Sequence, residues 1–268
     1  MILHFDEQAN IYRALDSWFM TPQGHRVAHA FLSEFMPVND QINGQTLLQL
    51  GSCGENIWLP NFKFRDKWII NPCVIPQKTS TVASLTMLPL ERDSIDCIIA
   101  PLTLEAFERA KNPIDEIDRV LKPMGYVIFI GINPLSLWGL ACRLHSLSCF
   151  GHRRGTLTSS LTIKRMMLLR GFRQCAFTSF YYIPPVKNES LIKKLEFLNE
   201  MGKMVWPFPA GFYCFIVQKF QECAPSLQLN RAKAELVLQQ HTSLQPINSR
   251  SHSPLQRSTV VTKGIVKT

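Results

Sequence analysis

The chain has 268 residues, 46% of them hydrophobic and 18% charged, with 29 Lys and Arg against 20 Asp and Glu for a net charge of +9. That length accommodates one core of about 200–250 residues plus an appendage; no apolar run reaches the roughly 20 residues of a membrane-spanning helix, and "MILHFDEQAN" carries Asp6 and Glu7 where a secretory signal would be positive, so a cytoplasmic protein is expected. The eight cysteines stand singly, mostly in apolar stretches such as "IDCIIA" and "FYCFIVQ", without a Cys-x-x-Cys pair or a zinc-type Cys/His spacing, which disfavours a disulfide framework and a structural metal.

In chain order, an amphipathic opening over Ile11–Met36, broken by "TPQG", predicts two helices. Short β-branched or aromatic runs follow at Thr46–Leu50, Trp68–Ile75, Ser94–Leu102 and Gly125–Ile132. They lack strict alternation, as strands covered on both faces do. Before the last of them, Ile114, Ile117, Val120 and Leu121 form one helical stripe, which Pro123 is expected to end. Alternation of strands and helices implies a doubly wound, mostly parallel α/β sheet with right-handed crossovers. Two late aromatic strands, Cys175–Ile183 and Gly211–Phe220, flank a helix over "SLIKKLEFLNEMGKMV" and suggest an antiparallel edge. The folded domain is expected to span 1–222. The tail, 223–268, is rich in Ser, Thr, Gln and Pro with scattered Arg and Lys; it reads as a basic, disordered appendage with a short helix over Asn230–Gln240.

Ligands of such a sheet bind beyond the carboxyl ends of its strands. That directs attention to "LLQLGSCGEN" (Leu47–Asn56), where Gly51 and Gly54 directly follow the first strand and let the backbone turn tightly. Further on, Leu88-Pro89-Leu90, Ser94-Ile95-Asp96, Glu116 through Leu121 with Pro123 and Gly125, and Asn133-Pro134 occur in that order. This block resembles the centre of class I S-adenosylmethionine-dependent methyltransferases of the type-11 group, and the chain is similar to its short bacterial members. On the residues alone, Asp96 should accept backbone hydrogen bonds, and Glu116 and Arg119, three apart on a helix, should pair.

The resemblance implies a seven-stranded Rossmann-like sheet, S-adenosylmethionine as cofactor and a cofactor site at Gly51, Cys53, Gly54, Asn71, Ser84, Leu85 and Pro101. It also exposes departures. The family's loop is D-x-G-x-G-x-G, and the matching positions here are Gln49, Gly51, Cys53 and Glu55, with Gly54 displaced by one. Asn71 stands where an acid usually holds the ribose, and Ser84 where an acid usually faces the adenine amino group. Exchanges of this kind cost about 1–2 kcal/mol each. Apolar contacts from Leu85, Leu102 and the Cys73–Val74 region would recover part of that loss.

For the acceptor, "GINPLSLWGL" (Gly131–Leu140) offers Asn133, Ser136 and Trp138 as pocket residues, or else a turn in which Leu135, Leu137 and Trp138 plug the core. The family's amino-group enzymes carry a Pro-Pro-aromatic motif where this chain has "APLT" (Ala100–Thr103), which disfavours methylation of a nucleobase amine. His145 and His152 are candidate bases or surface residues, and Tyr181 and Tyr182 line a pocket or fill an edge strand. The basic run His152–Arg173 is either a solvated helix face or a surface for an anionic partner. A small-molecule acceptor is the leading expectation; RNA or protein as acceptor is permitted by the positive charge but not favoured. The alternative is a non-catalytic, methyltransferase-like protein with a decayed cofactor site that binds a partner through its basic surface or tail.

Overall fold

The structure, a computed structural model, describes residues 2–107, 113–144, 157–186, 188–202 and 209–220. Two helices lead, α1 (Ile2–Phe19) and α2 (Pro22–Phe35). The break between them follows from Thr21, whose hydroxyl caps α2 by accepting from Gly24 N at 3.2 Å, and from Pro22 in the first turn, where a missing N–H costs nothing. Then come β1 (Gly44–Leu50), β2 (Phe64–Asn71), the two-residue β3 (Thr81–Val82), β4 (Ile95–Pro101), α3 (Ile114–Val120), β5 (Leu121–Ile132), α4 (Leu137–Arg143), α5 (Ser160–Leu169), β6 (Phe172–Phe180), α6 (Glu189–Lys194), α7 (Phe197–Gly202) and β7 (Phe212–Lys219). The strands form one seven-stranded sheet in the order β3-β2-β1-β4-β5-β7-β6. The first five are parallel, and β7 is antiparallel to both β5 and β6. The expected doubly wound sheet and its antiparallel edge are therefore present.

Several boundaries differ from the sequence reading. The second strand starts at Phe64 and stops at Asn71, because Pro72 has no N–H to continue the ladder. Helix α3 stops at Val120, before Leu121 and well before Pro123. Asp93 N and Ser94 N donate to the carbonyls of Arg119 and Val120 at 3.0 and 2.9 Å, so those acceptors are claimed by the lead into β4. The helix expected over Ser190–Val205 divides into α6 and α7 around Leu195–Glu196. The described part of the basic run folds as α5, with Ile163 and Met167 inward and Lys164 and Arg165 exposed, which favours the solvated-face reading there. The tail and its proposed helix, and likewise His145 and His152, lie outside the described residues.

The anchors read from the sequence hold the central strands in register. Asp96 Oδ2 accepts from Thr46 N at 2.9 Å, Gln45 N at 3.1 Å and the Thr46 hydroxyl at 2.9 Å, while Oδ1 meets Lys122 Nζ at 2.8 Å. Burial opposes ionisation of Asp96, but these donors outweigh it and hold the carboxyl below its ordinary range. Glu116 and Arg119 pair through two contacts of 2.9 and 3.0 Å; Arg119 also donates to Leu88 O and Leu90 O, and Glu116 accepts from Leu88 N, which binds the Leu-Pro-Leu step to α3.

Candidate functional site

Parallel strands put their carboxyl ends on one edge, and β1 delivers Gly51 there. Gly51 has φ of +88°, a left-handed conformation that an L side chain adopts only with strain. Gly54 is similar, at +57°. The loop between them is held from three sides. From β1, Gln49 Nε2 donates to Gly51 O at 2.8 Å and Asn56 Oδ1 at 2.6 Å, and Gln49 Oε1 accepts from Trp58 Nε1 at 2.8 Å. From β2, Asn71 Oδ1 accepts from Ser52 N at 3.0 Å, while Asn71 Nδ2 donates to Thr79 Oγ1 at 3.3 Å. From α1, Asp16 Oδ1 accepts from the Ser52 hydroxyl at 2.7 Å and Gly54 N at 2.9 Å. Lys78 Nζ stands 3.4 Å from Asp16 Oδ2.

Four of the sequence-predicted residues, Gly51, Cys53, Gly54 and Asn71, thus meet at one loop. Pro101 ends β4 next to β1, and the Thr103 hydroxyl just beyond it donates to Leu50 O at 3.4 Å. Ser84 and buried Leu85 follow β3, on the far side of β2 from β1. The Ser84 hydroxyl pairs with Thr86 at 2.9 Å. Cys53 is sealed, and burial pushes its thiol well up, so it is a packing group rather than a nucleophile.

Tyr12 and Asp16 lie on a helix rather than at a strand end, where the family pattern places its acids, so that pattern does not point to them. The available signal was Asp16 itself, a carboxylate on the same helical stripe as Tyr12, Leu15 and Phe19, where an unpartnered charge would be costly. Tyr12 matters as much. A Cβ built on Gly51 would fall on the Tyr12 ring, so the ring fills the space over the glycine. Tyr12, Gln49, Ser52, Asn71 and Leu85 are each 0% exposed, which leaves no water-sized gap against any of them. The loop has the chemistry to hold a nucleoside, with a close-approach glycine, an amide at the end of β2 and an apolar floor. In the structure, the Tyr12 ring occupies the volume over that glycine.

On the acceptor side, "NPLSLW" is a turn and a plug. Ser136 caps α4 by accepting from Gly139 N at 3.1 Å, and Trp138 is buried with Nε1 donating to Ile183 O at 2.8 Å. Leu135 does not join the plug; it is 81% exposed. Tyr181 is buried beside Trp138, consistent with a filling role, and Tyr182 is half-buried. Beyond β4 lies a residue the sequence reading passed over. Glu105 is buried, and its Oε1 accepts from Ile132 N at 3.2 Å and from the Tyr213 hydroxyl at 3.3 Å. Burial lifts its pKa to about 8 against the opposing effect of those bonds, so it is protonated at neutral pH. Among the described residues no group of His, Cys, Asp and Glu is arranged to hold a metal, and no helix is long and apolar enough to cross a membrane.

Residues 71–129 match the family model described as a methyltransferase domain. Among solved structures, the chain is similar to an S-adenosylmethionine-dependent methyltransferase from Thermotoga maritima, with 16% identity, a TM-score of 0.53, and coverage of 81% of this chain and 99% of that one. It is also similar to a methyltransferase from Haloferax volcanii solved in complex with a methyltransferase activator, at 13% identity, TM-score 0.55, 79% of this chain and 98% of that one. A third, an S-adenosylmethionine-dependent methyltransferase from Archaeoglobus fulgidus, matches at 16% identity and TM-score 0.50, over 73% of this chain and 94% of that one. No curated protein matches the chain significantly. The fold is that of the class I methyltransferases, type-11-like through residues 71–129.

Proposed function

We propose that this protein is an S-adenosylmethionine-dependent methyltransferase acting on a small-molecule acceptor. The observation that carries the reading is the left-handed turn at Gly51, at the carboxyl end of β1 and tied to Asn71 at the end of β2, in a chain whose adjoining segment matches a methyltransferase domain. Bound there, S-adenosylmethionine would supply a methyl group activated by its sulfonium. Gly51, Cys53 and Gly54 would let the backbone approach it, Asn71 would bond the ribose as a neutral substitute for a carboxylate, and Ser84, Leu85 and Pro101 would border the adenine. Methyl transfer from a sulfonium needs alignment and a water-poor pocket more than a base. A cytoplasmic location goes with this reading, supported by the buried free thiols of Cys53, Cys73, Cys97, Cys142 and Cys214.

A second reading, a methyltransferase-like protein without catalysis, is favoured by one specific observation. Gln49, Asn71 and the loop donors are satisfied within the protein, and Tyr12 fills the cleft. Calorimetric titration of the whole chain with S-adenosylmethionine and S-adenosylhomocysteine separates the two. The enzyme reading expects saturable binding in the tens of micromolar, about −6 kcal/mol. Absence of any binding heat at millimolar cofactor would leave the second reading standing.

A further inference from the structure

The inward stripe of α1 runs Gln8, Tyr12, Leu15, Asp16 and Phe19, which share one face of the helix over successive turns. Its contacts with the loop are of three kinds. Tyr12 takes the volume above Gly51; Phe19 closes on Gly54, where an added Cβ would lie 3.0 Å from the Phe19 Cβ; and Asp16 takes the Ser52 hydroxyl and the Gly54 N–H. A ligand seated on this loop would need the same volume and the same donors. We infer that the Tyr12–Asp16 face of α1 is an autoinhibitory plug in the cradle built by Gly51, Ser52, Gly54 and Asn71, so that S-adenosylmethionine binds only after this face has moved away. The inference rests on the function proposed above and names how that site is controlled.

Two features indicate that the plug is displaceable. Gln8 Oε1, on the buried stripe, has no hydrogen-bond partner among the described residues, and Tyr12 Oη has only the Thr103 hydroxyl beside it, which itself turns its proton to the carbonyls of Leu50 and Pro101. Buried and unpaired polar atoms raise the free energy of the closed arrangement, and opening relieves them. The anchor is at the other end of the helix. Trp18 packs edge-on against Trp138 with ring centroids 5.8 Å apart and stacks on Phe212 at 6.4 Å, and the break at Met20–Thr21 follows immediately. The chain can thus pivot there while the Gln8–Asp16 turns leave the loop. Apparent cofactor affinity is then the intrinsic affinity reduced by the fraction of molecules in which the plug is out.

The test compares wild type, Tyr12→Ala and Asp16→Ala by titration with S-adenosylhomocysteine, and follows amide hydrogen exchange over residues 8–19 of the wild type with and without it. Competition predicts that both substitutions tighten binding, Tyr12→Ala by about tenfold, and that the bound wild type exchanges faster across Gln8–Asp16 than the free protein. Weaker or unchanged binding in the variants, or slower exchange across α1 on binding, overturns the plug while leaving the cofactor reading intact. If Tyr12→Ala does not fold, Asp16→Ala and the wild-type exchange data decide alone. Failure of all folded proteins to bind at millimolar ligand overturns the plug together with the function on which it rests.

Discussion

Gly51 carries two constraints at once, a left-handed backbone and a tyrosine ring where its Cβ would be. Gly51→Ala should therefore destabilise the protein by about 2–4 kcal/mol, the sum of a left-handed L residue and an overpacked contact. In a Tyr12→Ala background the second contribution disappears, and urea unfolding of the two pairs should show the added cost of Gly51→Ala fall to about 1–2 kcal/mol. Glu105 gives a pH signature. Its folded pKa of about 8 lies above the unfolded value of 4.5, so the native state holds a proton that the unfolded chain has released; its contribution to stability is complete below pH 4.5 and is lost as pH rises to about 8. Denaturation midpoints of wild type should decline relative to Glu105→Gln across that interval, with an upper bound of about 5 kcal/mol in the difference. Parallel profiles would show that Glu105 is ionised in the native protein. Neither residue's environment was legible beforehand, since Glu105 reads as an ordinary helix or loop carboxylate until Ile132 and Tyr213 are brought to it from residues far along the chain.

Among the elements, strands were easier to read than the ends of helices. The runs at Thr46–Leu50, Ser94–Leu102 and Gly125–Ile132 are apolar on both faces, and the structure buries them in the middle of the sheet as β1, β4 and β5. The two-residue β3 carries no periodic pattern and its side chains are exposed, so nothing in Thr81–Val82 announces it. Helix α3 ends early because long-range backbone donors take its last carbonyls, a tertiary effect that no local propensity encodes. The break between α1 and α2 was local and readable. Thr21→Ala removes the cap of α2 and should cost about 1 kcal/mol, lowering the melting temperature by roughly 2–4 °C. Arg119→Ala should cost about 1–2 kcal/mol, because the carbonyls of Leu88 and Leu90 and the carboxylate of Glu116 lose one shared donor; chemical denaturation checks both.

For the whole molecule, the succession of strands and helices was enough to anticipate a doubly wound sheet with an antiparallel edge, and the order β3-β2-β1-β4-β5-β7-β6 fixes Gly51 and Asn71 at the same edge. What the succession could not give is how α1 packs on that edge. An amphipathic helix before the first strand looks the same whether it covers a face, packs on a neighbour or enters the cleft, and only the contacts of Tyr12 and Asp16 distinguish these. The same sheet has a hollow of ~370 Å³ at its opposite edge, lined by Arg92, Asp93, Asp115, Asp118, Arg170 and Lys219. Its charges are largely paired, Lys219 with Asp93 and Asp118, and Arg170 with Asp115. Under the proposed function, S-adenosylmethionine binds at the Gly51 edge of the sheet and not in this hollow. Backbone amide resonances followed by two-dimensional NMR during titration with S-adenosylhomocysteine test that placement directly. Saturable shifts at Gly51, Ser52, Gly54, Asn71 and Leu85, accompanied by shifts along Gln8–Asp16, are the result predicted; shifts confined to the Arg92–Lys219 hollow, or a spectrum unchanged at millimolar ligand, would contradict it.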